Sequence, residues 1–190
     1  TDRERVLPHT DPLGRQILIG HGAFLELLVM ALAQQGVASQ VQLWPQGELP
    51  TALKDWDERP VARITLQPGG QPDPLFAQVL QRRTPKTDFD TTRPVAPELL
   101  ARLLASAPAS GQTALRVGGT VAAEQLPALR TLCWESAQVE LLTPRTMMES
   151  IHLTRVGPAE ILQHRDGISI NSPFVRAVAA LGMFDRTQPP

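Results

Sequence analysis

A run of seventeen residues, ILIGHGAFLELLVMALA (Ile17–Ala33), constrains the fold of this chain more than any other stretch. The helix that it predicts is apolar on nearly every face, and its main interruptions are His21, Glu26 and two glycines. A bilayer requires about 20 predominantly apolar residues, so the run is slightly short for a membrane span. We therefore predict a helix buried at the centre of a fold, and no membrane span.

The ends of this helix are marked by capping residues. Asp11-Pro12 is typical of an N-cap followed by a proline in the first turn, and Gly36 is typical of the residue that stops a helix. The helix is therefore predicted to begin at about Leu13 or Gly20 and to end at Gln35.

Two strands and several further helices are predicted after it. The segments SQVQLWP and RPVARITLQP have strand patterns, and GGQPDP behind them is typical of a linker. TALRVGG predicts one more short strand. Helices are predicted in DPLFAQVLQRR, APELLARLLASA, AAEQLPALRTLCWESAQVELL, RTMMESIHLTRV, GPAEILQH and PFVRAVAALG. Because helices outnumber strands, the fold class is predicted to be α+β.

Composition limits the classes of function. With 190 residues and 42% hydrophobic content, the chain can bury a core. A net charge of −1 argues against a nucleic-acid protein with a broad basic face. Cys133 is the single cysteine, which excludes an internal disulfide. Since it precedes Trp134 in an apolar helix, it is predicted to be buried and inert.

Two motifs imitate catalytic fingerprints. ILIGHGAFL places Gly20 and Gly22 as in a dinucleotide-binding turn, but Leu25 stands where a third glycine should let the helix pack on its strand. HRDGISIN has the spacing of a kinase catalytic loop with Asp166 as its base, but the other kinase motifs are missing from the sequence. We interpret the second motif as a surface turn. The four histidines are scattered and predict no metal site.

A third motif, LQRRTPKTDFD (Leu80–Asp90), concentrates positive charge in a nearly neutral chain. Arg82, Arg83 and Lys86 could converge on a phosphate group, because arginine offers bidentate donors and lysine a point charge. Thr84 would add a hydroxyl. The alternative is that the two arginines only complement the dipole at the end of the preceding helix. The spacing alone leaves both interpretations open.

The longer segment QRRTPKTDFDTTRPVAPELLARLLASA resembles the opening of the FMN-binding nitroreductase family. That opening typically reads Arg-Arg-Ser-x-Arg/Lys-x-Phe, then Pro-Val and an amphipathic helix, and its loop holds the flavin phosphate and ribityl chain. The resemblance assigns Arg82 and Lys86 to the basic contacts. It places Thr84 at the serine position, Arg83 at the position between them, and Phe89 at a buried aromatic position.

Two other segments extend the resemblance over nearly the whole chain. DPLGRQILIGHGAFLELLVMALAQQGVASQVQLWP is similar to the late central helix and strand of that fold, and TPRTMMESIHLTRVGPAEILQHRDGISI to part of a second half. This order is that of the twin (Acg-like) branch, in which two nitroreductase-like halves follow each other. It implies the late part of a first half in residues 1–70 and the early part of a second half in residues 71–190 of a longer protein. The implied fold packs helices around a mainly antiparallel sheet.

The resemblance also implies a function. It is that of an FMN-dependent oxidoreductase, in which NAD(P)H reduces the flavin and the flavin reduces a nitro compound or quinone. A protein that binds or sequesters flavin without turnover, and a degenerate structural module without cofactor, are the alternatives. The family pairs its halves, which implies a pseudo-dimer within the full chain or a homodimer. Members of this branch often carry an upstream twin-arginine export signal, so both the cytoplasm and the cell envelope stay open as locations.

Overall fold

The computed structural model describes residues 2–85, 87–106 and 117–187. Two compact units divide the chain, one formed by Thr1–Thr84 with Pro144–Pro190 and the other by Pro85–Thr143. Both helices and strands are present, as the predicted α+β class requires. The α-helices are α1 (Arg15–Gln34), α2 (Pro97–Ala105), α3 (Leu126–Leu142), α4 (Pro144–His152), α5 (Gly157–His164) and α6 (Pro173–Ala180). The strands are β1 (Val37–Leu43), β2 (Ala62–Pro68), β3 (Thr154–Val156) and β4 (Ile168–Ile170).

The strands of the first unit form two small sheets. β1 and β2 pair antiparallel, in a register that runs from Val37 opposite Pro68 to Leu43 opposite Ala62. β3 and β4 pair parallel, with α5 as the connection between them. The two strands predicted from SQVQLWP and RPVARITLQP are therefore confirmed. The resemblance implied a mainly antiparallel sheet, and the described strands form one antiparallel pair and one parallel pair.

The start of α1 is fixed by a capping carboxylate and a glycine. Asp11 is buried, and its Oδ2 accepts hydrogen bonds from the amides of Gln16 at 2.9 Å and Ile17 at 3.1 Å. These amides have no partner inside a helix, so the carboxylate replaces the missing acceptors. Gly14 precedes the helix with a φ of 64°, a left-handed conformation that glycine adopts without strain. The predicted capping role of Asp11 is confirmed, although Gly14 is the residue that directly precedes the helix.

Two strongly buried apolar side chains, Leu53 and Trp56, lie next to this helix start. Among the described residues, Met30, Leu53 and Trp56 form the buried apolar set, with Trp56 4% exposed. The indole of Trp56 covers Gly14 so closely that a Cβ atom there would lie 2.3 Å from a ring carbon. The indole Nε1 donates a hydrogen bond of 2.8 Å to the carbonyl of Pro50. The first unit is thus packed around Trp56 rather than around the middle of α1.

The predicted burial of α1 is wrong for most of its length. Met30 is its one buried residue, while Ile19 is 72% and Phe24 63% exposed. Apolar composition indicates that a helix must pack against another surface, but it does not identify that surface. In the part of the chain that the structure describes, α1 is also the helix long and apolar enough to cross a membrane by length and composition. Core helices and signal sequences satisfy the same criterion.

Three other local predictions are wrong. DPLFAQVLQRR forms only a short 3-10 helix, Pro74–Gln78, because little of the chain packs against it. Cys133 and Trp134 are exposed on α3, since the second unit does not cover that side of the helix. Phe89 is 80% exposed, because it lies in a loop without regular structure.

Most of the later helices agree with their predictions. α2 begins with Pro97, and Pro127 is the second residue of α3. In the first unit, α5 and α6 lie where the spacing placed them. The helix predicted from RTMMESIHLTRV is wrong in its last part, because α4 ends at His152 and Thr154–Val156 pairs as strand β3. The first part of the predicted strand TALRVGG lies outside the described residues, and 117–119 form no strand.

The predicted linker GGQPDP is tied to the β1–β2 hairpin. The amides of Gly69 and Gly70 both donate to the carbonyl of Gly36 at 2.9 Å. The side chain of Gln34 donates to the carbonyl of Asp73 at 3.3 Å. The segment therefore belongs to the first compact unit, and the division into tandem halves at residues 70 and 71 stays a prediction.

Candidate functional site

The candidate site is the basic loop that follows the 3-10 helix Pro74–Gln78. The amides of Gln81 and Arg82 both donate to the carbonyl of Gln78, at 3.0 and 2.9 Å. This turn ends the helical segment and directs the next residues into solvent, where Arg82, Arg83 and Thr84 are all exposed. An exposed loop after a turn leaves charged side chains accessible to a ligand.

Arg82 and Thr84 are brought together in this loop. Nη1 of Arg82 donates a hydrogen bond of 2.7 Å to the hydroxyl oxygen of Thr84. A guanidinium carries five N–H donors, and this bond uses one of them. The pair can therefore present further guanidinium donors and a hydroxyl to the same anion, which is the chemistry that a phosphate group requires.

Arg83 has a different arrangement. Its Nη1 donates to the carbonyls of Leu80 at 2.7 Å and Arg82 at 2.9 Å. The side chain thus satisfies carbonyls at the end of the preceding turn, as the capping alternative predicted for both arginines. Lys86, the fourth predicted site residue, lies outside the described residues.

Long-range ion pairs of the first unit form a second polar region that the sequence did not indicate. Asp166 pairs with Arg155 at 3.0 Å and also with Arg5. Hydrogen bonds from Arg155, followed by the charges of both arginines, hold the pKa of the Asp166 carboxyl below its ordinary value. These side chains line a cavity of about 560 Å³ together with His152 and Glu149.

Glu149 ties the N-terminal segment to α4 at the same place. Its carboxylate oxygens accept hydrogen bonds from the amide of His9 at 3.0 Å and from the amide and hydroxyl of Thr10, both at 2.8 Å. No local signal could have shown this contact, because about 140 residues separate the partners.

Glu160 forms another long-range ion pair, at the first turn of α5. Arg186 donates to both of its carboxylate oxygens, at 2.7 and 2.9 Å, and the amide of Val156 donates at 2.5 Å. These hydrogen bonds, with those from Arg186 as the larger effect, lower the pKa of Glu160 to about 2. The neighbouring cavity of about 780 Å³ is also lined by Arg176 and Ala177.

Arginine side chains hold both of these carboxylates in the ionised form. Because the pKa of Asp166 and of Glu160 is lowered, both are ionised at neutral pH. A general acid or base works best when its pKa lies near the operating pH, so neither suits that task. Asp166, whose kinase-like spacing was interpreted as a surface turn, indeed precedes Gly167 with its φ of 75°.

The last groups to consider are His21, the glycines beside it and possible metal ligands. Burial lowers the pKa of His21, and its Nδ1 has no hydrogen-bond partner. Gly20 and Gly22 lie inside α1 rather than in a turn, so they do not form a dinucleotide fingerprint. Within the described ranges, no group of three or more His, Cys, Asp or Glu residues is arranged to hold a metal ion.

Comparisons with known proteins give two relatives. No family model matches the chain, and no solved structure matches it significantly. Two curated proteins of Mycobacterium tuberculosis match, one from strain CDC 1551 / Oshkosh and one from strain ATCC 25618 / H37Rv, and each is described as an uncharacterized protein. Each is 33% identical over 90 residues, which are 47% of this chain and 25% of the relative. The matched part of this chain thus spans a quarter of each relative's length, and these descriptions assign no activity.

Proposed function

We propose that this protein is an FMN-binding oxidoreductase of the nitroreductase type, which transfers hydride from NAD(P)H through the flavin to a nitro compound or quinone. The observation that carries the proposal is the hydrogen bond of 2.7 Å between Arg82 and Thr84. It joins two of the residues that the resemblance assigns to the phosphate loop of that family.

The residues present fit the phosphate end of FMN. The free donors of Arg82 and the hydroxyl of Thr84 would hold phosphate oxygens, and Lys86 would add a positive charge. Arg83 would contribute mainly through its charge, because its Nη1 is engaged by two backbone carbonyls. FMN would supply the hydride chemistry when bound, and this loop would fix its phosphate end.

The fold gives limited support to the same proposal. α1 is followed directly by β1, the order of the late central helix and strand in the family, and β1 pairs antiparallel with β2. A complete nitroreductase-like fold with two tandem halves, paired as a pseudo-dimer or a homodimer, is part of the proposal.

A comparison of FMN with riboflavin tests the phosphate site. Riboflavin lacks the phosphate but keeps the ring and ribityl chain, so only a phosphate site distinguishes the two ligands. In fluorescence titrations of the full chain, we expect FMN to bind at least about tenfold more tightly than riboflavin. Arg82→Ala and Lys86→Ala should each weaken FMN binding by about 10- to 100-fold, the range for charged hydrogen bonds. Neither should change riboflavin binding.

Arg83→Ala is the matched control, because it removes a neighbouring positive charge whose Nη1 already bonds to carbonyls. It should weaken FMN binding less than Arg82→Ala does. Equal affinities for FMN and riboflavin, or no binding of either, would contradict the proposal.

The degenerate structural module is the second candidate, and the contacts of Arg83 favour it. They engage at least one arginine of the motif with carbonyls at the end of a turn. If the loop is only structural, all three alanine variants will change the free energy of unfolding slightly, and none will alter flavin binding.

A further inference from the structure

A cavity of about 300 Å³ lies in the first unit, between the start of α1 and the segment that follows β1. Most of the residues that line it are apolar, namely Leu13, Leu18, Trp44, Leu49, Pro50 and Trp56. Arg15 and Glu48 are the charged residues of its lining. An apolar wall with a few polar groups is the usual composition of a site for a small molecule. We call this space the tryptophan cavity.

Trp44 lines the cavity in a backbone conformation that a bulky side chain disfavours. Its φ is 52°, in the left-handed region that glycine adopts without strain. Backbone hydrogen bonds fix this conformation, since the amide of Trp44 donates to the carbonyl of Val61 at 2.9 Å and its own carbonyl accepts from the amide of Gly47 at 3.0 Å. Strained residues of this kind cluster at sites that hold a ligand.

The position of Arg15 is not explained by the helix to which it belongs. Arg15 is the first residue of α1, where the positive end of the helix dipole disfavours a cation. Among the residues that the structure describes, its guanidinium has no hydrogen-bond or ion-pair partner. The arginine thus offers all of its donors to the cavity that it lines.

Glu48 brings the opposite charge to the same cavity. Its carbonyl accepts a hydrogen bond of 2.8 Å from Nη1 of Arg59, which holds the backbone in place. The charge of Arg59 is engaged by the carboxylate of Asp57 at 2.7 Å. In the described part of the chain, the Glu48 carboxylate pairs neither with Arg59 nor with Arg15. Two charges of opposite sign therefore line one largely apolar space without meeting each other.

We propose that the tryptophan cavity binds a free α-amino acid with a large apolar side chain. The carboxylate of the ligand accepts hydrogen bonds from Arg15, and its ammonium group donates to Glu48. Its side chain packs against the indole of Trp44 and the neighbouring leucines. A zwitterion satisfies both charges at once, whereas a ligand with one charge leaves the other unpaired against apolar walls.

The size of the cavity agrees with this class of ligand. About 300 Å³ is at the lower end of the range for ligand sites, which suits a single amino acid. The site lies outside the proposed oxidoreductase function and includes none of the residues of the basic loop.

Calorimetric titration of the full chain with three ligands of similar shape tests the proposal. L-Leucine carries both charges, isocaproate lacks the ammonium group, and isoamylamine lacks the carboxylate. We expect leucine to bind about 10- to 100-fold more tightly than either of the others, the range for one charged hydrogen bond.

Two alanine variants assign the partner of each charge. With Glu48→Ala, the advantage of leucine over isocaproate should be lost, because the ammonium group has no acceptor. With Arg15→Ala, the advantage of leucine over isoamylamine should be lost for the corresponding reason. Glu58→Ala and Arg63→Ala are the matched controls. They remove exposed charges that do not line the cavity, and they should leave both advantages unchanged.

Trp44→Gly separates binding from folding. Glycine relieves the left-handed conformation but removes one wall of the cavity. Leucine binding should therefore weaken by about tenfold or more, while circular dichroism shows that the helices are retained. Arg82→Ala should leave leucine binding unchanged, so this test and the flavin titrations succeed or fail separately.

Three results would overturn the proposal. The first is no binding of leucine up to about 10 mM, a concentration that corresponds to a negligible affinity. The second is equal affinity for leucine, isocaproate and isoamylamine. The third is a loss of leucine binding in the control variants as large as that in Arg15→Ala and Glu48→Ala.

Discussion

Two stretches of this chain begin with the same dipeptide and fold differently. Asp11-Pro12 precedes α1, a helix of 20 residues, whereas Asp73-Pro74 opens a 3-10 helix of five residues. The carboxylate of Asp11 is buried and bonds to two amides, while the carboxylate of Asp73 accepts a single hydrogen bond, from the amide of Leu75 at 2.8 Å. A capping signal therefore starts a helix, and tertiary packing decides how far it continues.

The two stretches also differ in what covers them. Trp56 seals the start of α1 against Gly14, but Leu75 and Leu80 beside the second dipeptide are 66% and 83% exposed. The first stretch is held in place by the contacts of Trp56 and of Asp11. The second leads into the basic loop, whose arginines face solvent and can meet a ligand.

The largest expected loss of stability comes from removing Trp56, the side chain that packs on the start of α1 and has no counterpart in the second stretch. Trp56→Ala should lower the free energy of unfolding by about 3–5 kcal/mol, since it leaves a cavity against Gly14 and loses the bond to Pro50. Trp134→Ala is the matched control. With its side chain 63% exposed, it should change stability by about 0.5 kcal/mol or less. Urea unfolding measures both, and equal losses would contradict the packing described here.

The second effect compares the two capping aspartates directly. Asp11→Ala should cost about 2 kcal/mol, the upper end of the range for helix caps, because two amides of α1 lose a buried acceptor. Asp73→Ala should cost about 0.5 kcal/mol, since its single bond is exposed to solvent. Urea unfolding monitored by circular dichroism distinguishes the two, and a larger loss for Asp73→Ala would reverse the comparison.

Stability measured as a function of pH tests an ion pair outside both stretches, the one between Glu160 and Arg186. The pKa of Glu160 is about 2 in the folded chain against an ordinary value of 4.5, so its contribution is fully present above about pH 5. It is lost as the pH falls through the interval down to about 2. With partners 26% and 31% exposed, the contribution should be about 1 kcal/mol.

Glu160→Gln is the variant that isolates this contribution. It should be less stable than the wild type at pH 7, and the difference should shrink as the pH falls toward 2. A difference that is constant with pH would mean that the Arg186 contact does not stabilise the ionised carboxylate.

The smallest effect on stability is expected in the basic loop. Arg83→Ala removes two exposed hydrogen bonds to carbonyls and should change the free energy of unfolding by about 0.5 kcal/mol or less. A loss above about 1 kcal/mol would show that the second stretch is held together more firmly than its exposure indicates.

Sequence reasoning succeeded where a structure depends on neighbouring residues. The strands β1 and β2, the helices α5 and α6 and the turn at Asp166-Gly167 all follow from local periodicity and turn residues. Sequence reasoning failed where the burial of a residue depends on packing against distant parts of the chain. The exposure of α1, Cys133 and Phe89 contradicts predictions of burial, because apolar character does not identify the surface that will cover a residue.

The site was predictable to a similar extent. Arg82 and Thr84 were both predicted as site residues from a motif in which they lie two residues apart, and the structure joins them by a hydrogen bond. The contacts of Glu160 with Arg186 and of Glu149 with Thr10 join residues 26 and 139 positions apart, and no local pattern carries such information.

The most direct test of the central claim is the visible absorption spectrum of the purified full chain, recorded before and after addition of FMN and removal of the excess. If the loop of Arg82, Thr84 and Lys86 anchors a flavin phosphate, the protein will retain the flavin bands, and NAD(P)H will bleach them. A protein that stays colourless after incubation with FMN would contradict the proposal and assign the basic loop a structural role only.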